Sequence, residues 1–535
     1  MDNNIDFNKY IWEIEINFQT LPICLKIKGK DLILKENNNC SSINLLTPFN
    51  KIYNLFMISE NKVQIFTPGG GNPNIFFLKS NNKYLFSNSL SNLLDKENQI
   101  NLDEYSFCQN LTGYQSPFAH FLKNVEKLDP SSLYQINKDK GLFKKNIIFN
   151  KNPKLNQNQV VDLMIYSWEK YLSSGKDIFL LLSGGYDSRL NLAIANYASK
   201  KYGNNITIFH EYKNKKEADI VDQLIIKSKK KFILTNRNKI KEEDFKLFRD
   251  DNYLKITPGF NKFHLERWYL HLMDLKLKNN DGIIMGLGAE AHKGKYYDLI
   301  APDKKNRLNI GDLIYNFGFD ENRIISNAKL LDMKIKREGQ QHNLFKNLIQ
   351  ESDCFDNNES LIDYIHYRTY ICNGHGNRTH TLNTIFSIPF PFLENQFLEA
   401  VFHLPSIYKK NFLLVKKAIE KLDPELMEIP FTSGNIKSTF RKKSNLERQS
   451  KKVFKKMFYW ALKDNNYFYK RKGRVHLTKI EIERLMKIEV KLNITRKIRN
   501  HLLKGVKKNK SLNLEYLHQI FYFLNFIEKN NLGSK

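Results

Sequence analysis

The run Ser183-Gly184-Gly185-Tyr186-Asp187-Ser188-Arg189-Leu190 brings two adjacent glycines, two hydroxyls and a carboxylate together. Ile178-Phe179-Leu180-Leu181-Leu182 precedes it as a short apolar run, and Asn191 to Ala198 follow with apolar residues at helical spacing. That order reads as strand, tight loop and helix. Neighbouring glycines let backbone N–H groups turn inward without a Cβ in the way, and the helix start adds a positive dipole end. Ser183 and Ser188 can donate hydrogen bonds to phosphate oxygens, while Asp187 can ligate the Mg2+ that travels with them. The chemistry suited to these residues is capture of a polyphosphate tail. A glycine-rich βα turn with a serine cap is the purely structural alternative. The loop is not the GxxxxGK[ST] cradle, which ends in a lysine.

A second apolar run and loop follow at Gly282-Ile283-Ile284-Met285-Gly286-Leu287-Gly288-Ala289-Glu290-Ala291-His292. Farther on, Pro389-Phe390-Pro391-Phe392-Leu393-Glu394 leads into Gln396 to Pro405, and Lys416 to Ile419 and Pro424 to Pro430 close the series. The first loop resembles the SGGxDS pyrophosphate loop of N-type ATP pyrophosphatases. The ordered set of segments resembles, within that group, the asparagine synthetase superfamily, over about residues 50–440. By that resemblance Glu290 stands where the family places a magnesium-binding aspartate. Leu287 occupies a position that often carries a proton-transfer residue, and leucine cannot do that work. Ala291 replaces a usual acid.

The resemblance extends to the N-terminal part, where Tyr84 to Leu94 and Asn124 to Leu133 look like the end of a glutaminase-type domain. Such a glutaminase uses an N-terminal cysteine whose own α-amine is the base. This sequence opens Met1-Asp2-Asn3-Asn4, and Cys24, Cys40 and Cys108 are internal. Strand-like alternation persists at Trp12 to Ile16, Asp31 to Leu34 and Val63 to Phe66,. The expectation is an NTN-type α+β sandwich without its chemistry over residues 1–150. A doubly wound parallel-sheet ATP pyrophosphatase domain follows over 151–433, then a basic helical region over 434–535, giving an α/β protein overall.

Composition sets outer bounds. The chain has 535 residues, 41% of them apolar, enough for two or three domains,. Five scattered cysteines without CxxC or paired Cys/His spacing argue against zinc, iron–sulfur clusters and a disulfide framework,. The start carries no signal-peptide pattern and no stretch reaches membrane-spanning length, so a cytoplasmic location is expected. Of the net charge of +29, residues 431–535 supply +20, with 27 Lys/Arg against 7 Asp/Glu. There Lys451 to Trp460 interleaves cations with aromatics. An RNA or anionic-surface contact and a merely solvated lysine-rich face are both open readings.

The activity implied by the resemblance is AMP-forming amide ligation with ATP and Mg2+. A carboxylate is adenylated, and ammonia or an amine displaces AMP. Ser183, Gly184, Gly185, Asp187, Ser188 and Arg189 form the nucleotide-binding set, Asp187 and Glu290 the metal pair, and Asp187 and Lys437 the catalytic residues. Lys437 is the nearest match to the family's late lysine, and a plain surface lysine is the alternative. Arg189 could touch phosphate or pair with a carboxylate. His210 reads as a strand-end residue or a contact to the nucleotide base. Gly374 to His380 with Arg368 could line an acyl pocket or simply connect helices. Expected partners are a small-molecule carboxylate, ammonia or an amine, an anionic surface or RNA at the C-terminal region, and a second copy of the chain. Two alternatives remain: a tRNA-modifying ATP pyrophosphatase and a catalytically inactive relative.

Overall fold

The computed structural model describes residues 13–17, 24–28, 32–37, 40–46, 52–59, 62–67, 69, 74–80, 83–94, 103–111, 122–123, 125–137, 141–146, 155–173, 177–212, 215–228, 231–236, 282–286, 288–294, 325, 328, 355, 357–368, 371–372, 380 and 388–431. They form a mixed α/β structure. Strands of the N-terminal part are β1 (Glu13–Asn17), β2 (Cys24–Lys28), β3 (Leu32–Asn37), β4 (Cys40–Leu46), β5 (Ile52–Ser59), β6 (Lys62–Phe66), β7 (Phe76–Ser80), β8 (Lys83–Ser87), β9 (Val125–Lys127), β10 (Ser132–Asn137) and β11 (Gly141–Asn146). Helices α1 (Leu90–Leu94) and α2 (Glu104–Leu111) lie between β8 and β9 in the chain.

Two antiparallel sheets result, ordered β2-β1-β8-β7-β9 and β11-β10-β6-β5-β4-β3. Alternation of apolar and polar side chains turns one face of each inward. Ile14, Ile16, Phe77 and Phe86 of the first sheet share one buried cluster with Phe56, Ile58, Val63, Ile65 and Ile136 of the second. The Phe56 and Phe86 rings meet edge to face at 5.4 Å across the gap,. This is sheet-on-sheet packing.

The central part is built differently. Helix α3 (Gln157–Leu172) opens with a capping box in which Asn156 and Gln159 exchange side-chain-to-backbone bonds,. Strand β12 (Ile178–Leu181), helix α4 (Tyr186–Tyr202), strand β13 (Ile206–Tyr212), helix α5 (Lys215–Ser228), strand β14 (Lys231–Asn236) and strand β15 (Gly282–Ile284) follow. The sheet is ordered β14-β13-β12-β15, and every pairing in it is parallel. From β12 the chain builds β13 and β14 on one side, then returns to place β15 on the other. The order therefore reverses between β12 and β15. In open parallel sheets a crevice forms at the carboxyl ends of strands at such a point.

Helices α6 (Asn358–His366), α7 (Asn395–His403) and α8 (Leu413–Leu422) complete the described elements, with short 3-10 turns at Ala289–His292, Pro391–Leu393, Ser406–Tyr408, Lys410–Phe412 and Pro424–Glu428. One apolar core joins Trp168 of α3, Leu190 and Ile194 of α4, Ile178 and Ile208 of the sheet, Val401 of α7 and Ile419 of α8. The N-terminal sheets dock on this body through buried polar contacts. Ser131 bonds Tyr367 at 2.9 Å and Asn395 at 2.9 Å, and Arg368 pairs with Asp129 at 3.1 Å. Both expected boundaries, near Asn150 to Pro153 and near Ser433-Gly434, fall outside the described residues, as does the basic C-terminal region. No helix among the described residues is long and apolar enough to cross a membrane.

Candidate functional site

The loop from Leu182 to Gly185 leaves the carboxyl end of β12, where the strand order reverses, and α4 starts immediately after it. Gly185 is the N-cap, in extended conformation with φ −84°, and no side chain caps the helix. The first-turn N–H groups of an α-helix have no intrahelical acceptor, and such donors suit an anion. The Ser183 and Ser188 hydroxyls meet at 2.8 Å, tying loop to helix, and Ser183 also accepts weakly from the Gly185 N–H at 3.4 Å. Tyr186 faces the other way. Its ring is held between Phe412 and Phe431, with centroids 4.2 Å and 3.9 Å away.

Asp187 lies in the first turn of α4 and keeps its side chain 23% exposed. Opposite it, Met285-Gly286 follow the end of β15. A Cβ on Gly286 would stand 3.2 Å from the Asp187 Cβ, so the bare glycine spares a tight contact where the second loop meets the helix,. Gly288 turns the chain with φ +86°, and the 3-10 turn Ala289–His292 follows. His292 anchors that turn, fully buried with its ring edge to face on Phe392 at 4.9 Å and on Phe397 at 5.9 Å. Desolvation pushes its pKa down to about 3.

These two loops bring Asp187 and Glu290 to one point, and that point carries the ammonium of Lys293. The Lys293 Nζ forms a short ion pair with Asp187 Oδ2 and stands 3.8 Å from Glu290 Oε1. The lysine is only 9% exposed. Hard carboxylate oxygens converging on a common cation suit Mg2+, which commonly uses one or two protein carboxylates and takes its remaining ligands from phosphate and water. Among the described residues no cluster of three or more His, Cys, Asp or Glu is arranged to hold a metal. The pair alone would have to share an ion with a phosphate-bearing ligand. Asn191, one turn beyond Asp187, is fully buried beside Gly286, and neither amide atom has a protein hydrogen-bond partner.

Arg189 corrects a sequence expectation. Its guanidinium turns away from the loop and donates to the carbonyls of Leu426 (2.9 Å), Ile429 (2.5 Å) and Pro430 (2.6 Å). It also lies 3.6 Å over the Phe431 ring,. The side chain is fully buried, and desolvation lowers its pKa to about 10. It contacts neither a carboxylate nor the hydroxyls of the loop; it clamps the segment after α8 to α4. His210 is buried within β13, two residues before its last, with Nδ1 2.9 Å from the Leu182 carbonyl. Arg368 meets Asp129, so it belongs to the seam with the N-terminal sheets. Leu287, Lys437 and Gly374 to Thr379 lie outside the described residues.

Lys293 and Asn191 were not found from sequence. The signal for Lys293 was available, because it stands three residues past Glu290 and a helical turn places such residues side by side. The thiol of Cys108 is buried and pushed up to about 12 by desolvation and by Glu104 and Asp103, so it holds almost no thiolate at neutral pH,. Only the backbone of Cys24 and Cys40 is described, at the first positions of β2 and β4. Comparison with known proteins returns no match, either among family models or among curated sequences.

Proposed function

We propose that the chain is an ATP-dependent, AMP-forming amide ligase resembling asparagine synthetases, with a doubly wound ATP pyrophosphatase domain behind a glutaminase-like sandwich. The observation that carries this reading is the convergence of Asp187 and Glu290 at the carboxyl ends of β12 and β15, where the strand order reverses. The start of α4, which no side chain caps, lies at the same end of the sheet, and its first-turn N–H groups have no intrahelical acceptor,.

In this proposal the N–H groups of Gly184, Gly185 and the first turn of α4 receive the pyrophosphate portion of ATP. The Ser183 and Ser188 hydroxyls release each other and turn to phosphate oxygens. Asp187 and Glu290 supply the protein ligands for magnesium, which when bound neutralises phosphate charge and stabilises pyrophosphate as a leaving group. A substrate carboxylate attacks the α-phosphorus, the bond to the bridging oxygen breaks, and pyrophosphate departs to leave an acyl-adenylate. Ammonia or an amine then adds to the acyl carbon, AMP leaves, and a proton passes to solvent. Adenylation is needed because a carboxylate oxygen is a poor leaving group. With little covalent work for side chains, the protein's contribution is placement and charge compensation.

The pairing of Lys293 with Asp187 favours a second reading, a catalytically silent protein whose acid pair is neutralised internally. Incubation with ATP, Mg2+ and ammonium against a panel of carboxylates separates the two. Ligase activity gives AMP and pyrophosphate in equal amounts with at least one acid, and Asp187→Ala abolishes both. ATP binding without turnover on any acid supports the silent reading. Turnover driven by tRNA alone would move the assignment to the tRNA-modifying class.

A further inference from the structure

The ammonium that Asp187 and Glu290 share belongs to the chain itself, and this bears on how the site takes up a metal ion. Lys293 ends the 3-10 turn that His292 pins into the apolar core. Its backbone is thereby fixed beside α4, while its four-carbon stem keeps the reach to move the charge. Two features place that charge at the cation position. The Nζ pairs with Asp187 Oδ2, and it lies 3.8 Å from Glu290 Oε1, so it addresses both carboxylates that would ligate a metal. The second loop approaches α4 closely here, since a Cβ built on Gly286 would stand 3.2 Å from the Asp187 Cβ. A divalent ion coordinating the same Asp187 oxygen would sit within a few ångströms of the ammonium, and like charges at that range repel strongly in a partly buried site.

We infer that Lys293 is a tethered counter-cation that competes with the divalent metal for Asp187 and Glu290 and so sets the metal affinity of the site. The inference rests on reading those two residues as metal ligands. Metal uptake ejects the Nζ from between the carboxylates, and loss of the metal lets it return. The nucleotide then enters a site whose metal occupancy is governed by this lysine.

The test is Mn2+ titration of the full chain without nucleotide, followed by electron paramagnetic resonance. Lys293→Met should bind Mn2+ at least about tenfold more tightly than wild type. Lys293→Arg, which keeps the charge, should stay within about threefold of wild type. Asp187→Asn in the Lys293→Met background should remove the gain. Equal or weaker binding by Lys293→Met overturns the inference while leaving the metal site itself standing. No binding by wild type or Lys293→Met at millimolar metal refutes the metal site and the inference together. Should Lys293→Met fail to fold, wild type decides: acylation of Lys293 by an N-hydroxysuccinimide ester, read by mass spectrometry, should rise severalfold on adding Mn2+. An unchanged or reduced labelling rate overturns the competition.

Discussion

Replacing Arg189 with methionine separates a clamp from a phosphate contact. The guanidinium makes three hydrogen bonds to the carbonyls of Leu426, Ile429 and Pro430 and stacks on Phe431. Charged hydrogen bonds at about 1.5 kcal/mol each and a buried cation–π contact of about 1–2 kcal/mol together favour the folded arrangement by about 6 kcal/mol. Burial opposes this. The drop in pKa from 12.5 to about 10 corresponds to a penalty of about 3 kcal/mol on the charged form,. The balance is about 3 kcal/mol in favour of the clamp, and methionine leaves the three carbonyls without those donors. The expected effect is local, because the partners all lie in the segment from Leu426 to Phe431. Hydrogen exchange read by mass spectrometry on peptides covering residues 424–431 should be faster by about a hundredfold in Arg189→Met, since 1.36 kcal/mol is a tenfold change. Affinity for Mg-ATP, measured by calorimetry well below the melting temperature, should stay within about threefold of wild type. Unchanged exchange together with a tenfold or greater loss of ATP affinity would refute the clamp and return Arg189 to the phosphate site.

Gly185→Ala separates a ligand requirement from a folding requirement. The added Cβ meets only Ser183 Oγ, at 3.5 Å, and φ is −84°; glycine's N-cap preference and its unfolded-state entropy oppose each other, so urea unfolding should differ from wild type by less than about 1 kcal/mol,. Mg-ATP affinity should nevertheless fall at least tenfold, because the methyl group stands where phosphate approaches the backbone; unchanged affinity would remove the loop from the nucleotide site. The buried His380 makes stability depend on pH. Its pKa is pushed down to about 3, while the unfolded chain titrates near 6.5, so the unfolded state alone gains the proton as pH falls below 6.5,. Stability is complete above that value and declines toward pH 3, by about 2 kcal/mol at pH 5 from this residue. His380→Asn can keep an acceptor for the Asn74 N–H, which His380 Nδ1 takes at 3.3 Å, and should lose about 2 kcal/mol less than wild type between pH 7 and pH 5 in urea titrations. An identical loss in both proteins would contradict this assignment.

The strand–loop–helix unit at Ser183 was legible because its determinants are local: an apolar run, paired glycines and helical periodicity lie within one short stretch. The β15 loop was legible for the same reason, through Gly286 and Gly288. The alternation at Trp12 to Ile16 and at Val63 to Phe66 likewise foretold strands, found at Glu13–Asn17 and Lys62–Phe66. What escaped were contacts made by chain folding over long separations. Arg189 finds its carbonyls 237 to 241 residues away, and nothing in its neighbourhood announces that proline-rich segment as a partner. Lys293 reaches Asp187 across 106 residues, and only the order of β12 and β15 in the sheet makes the two neighbours. Sequence spacing could suggest that Lys293 flanks Glu290, but not that the same ammonium also reaches Asp187.

The most direct test of the nucleotide site is a crystal structure with ATP and Mn2+, in which the anomalous signal locates the metal. The account predicts a manganese peak at about 2.2 Å from carboxylate oxygens of both Asp187 and Glu290, with the triphosphate lying across the first turn of α4. A nucleotide bound elsewhere, or a metal held by neither carboxylate, would contradict it.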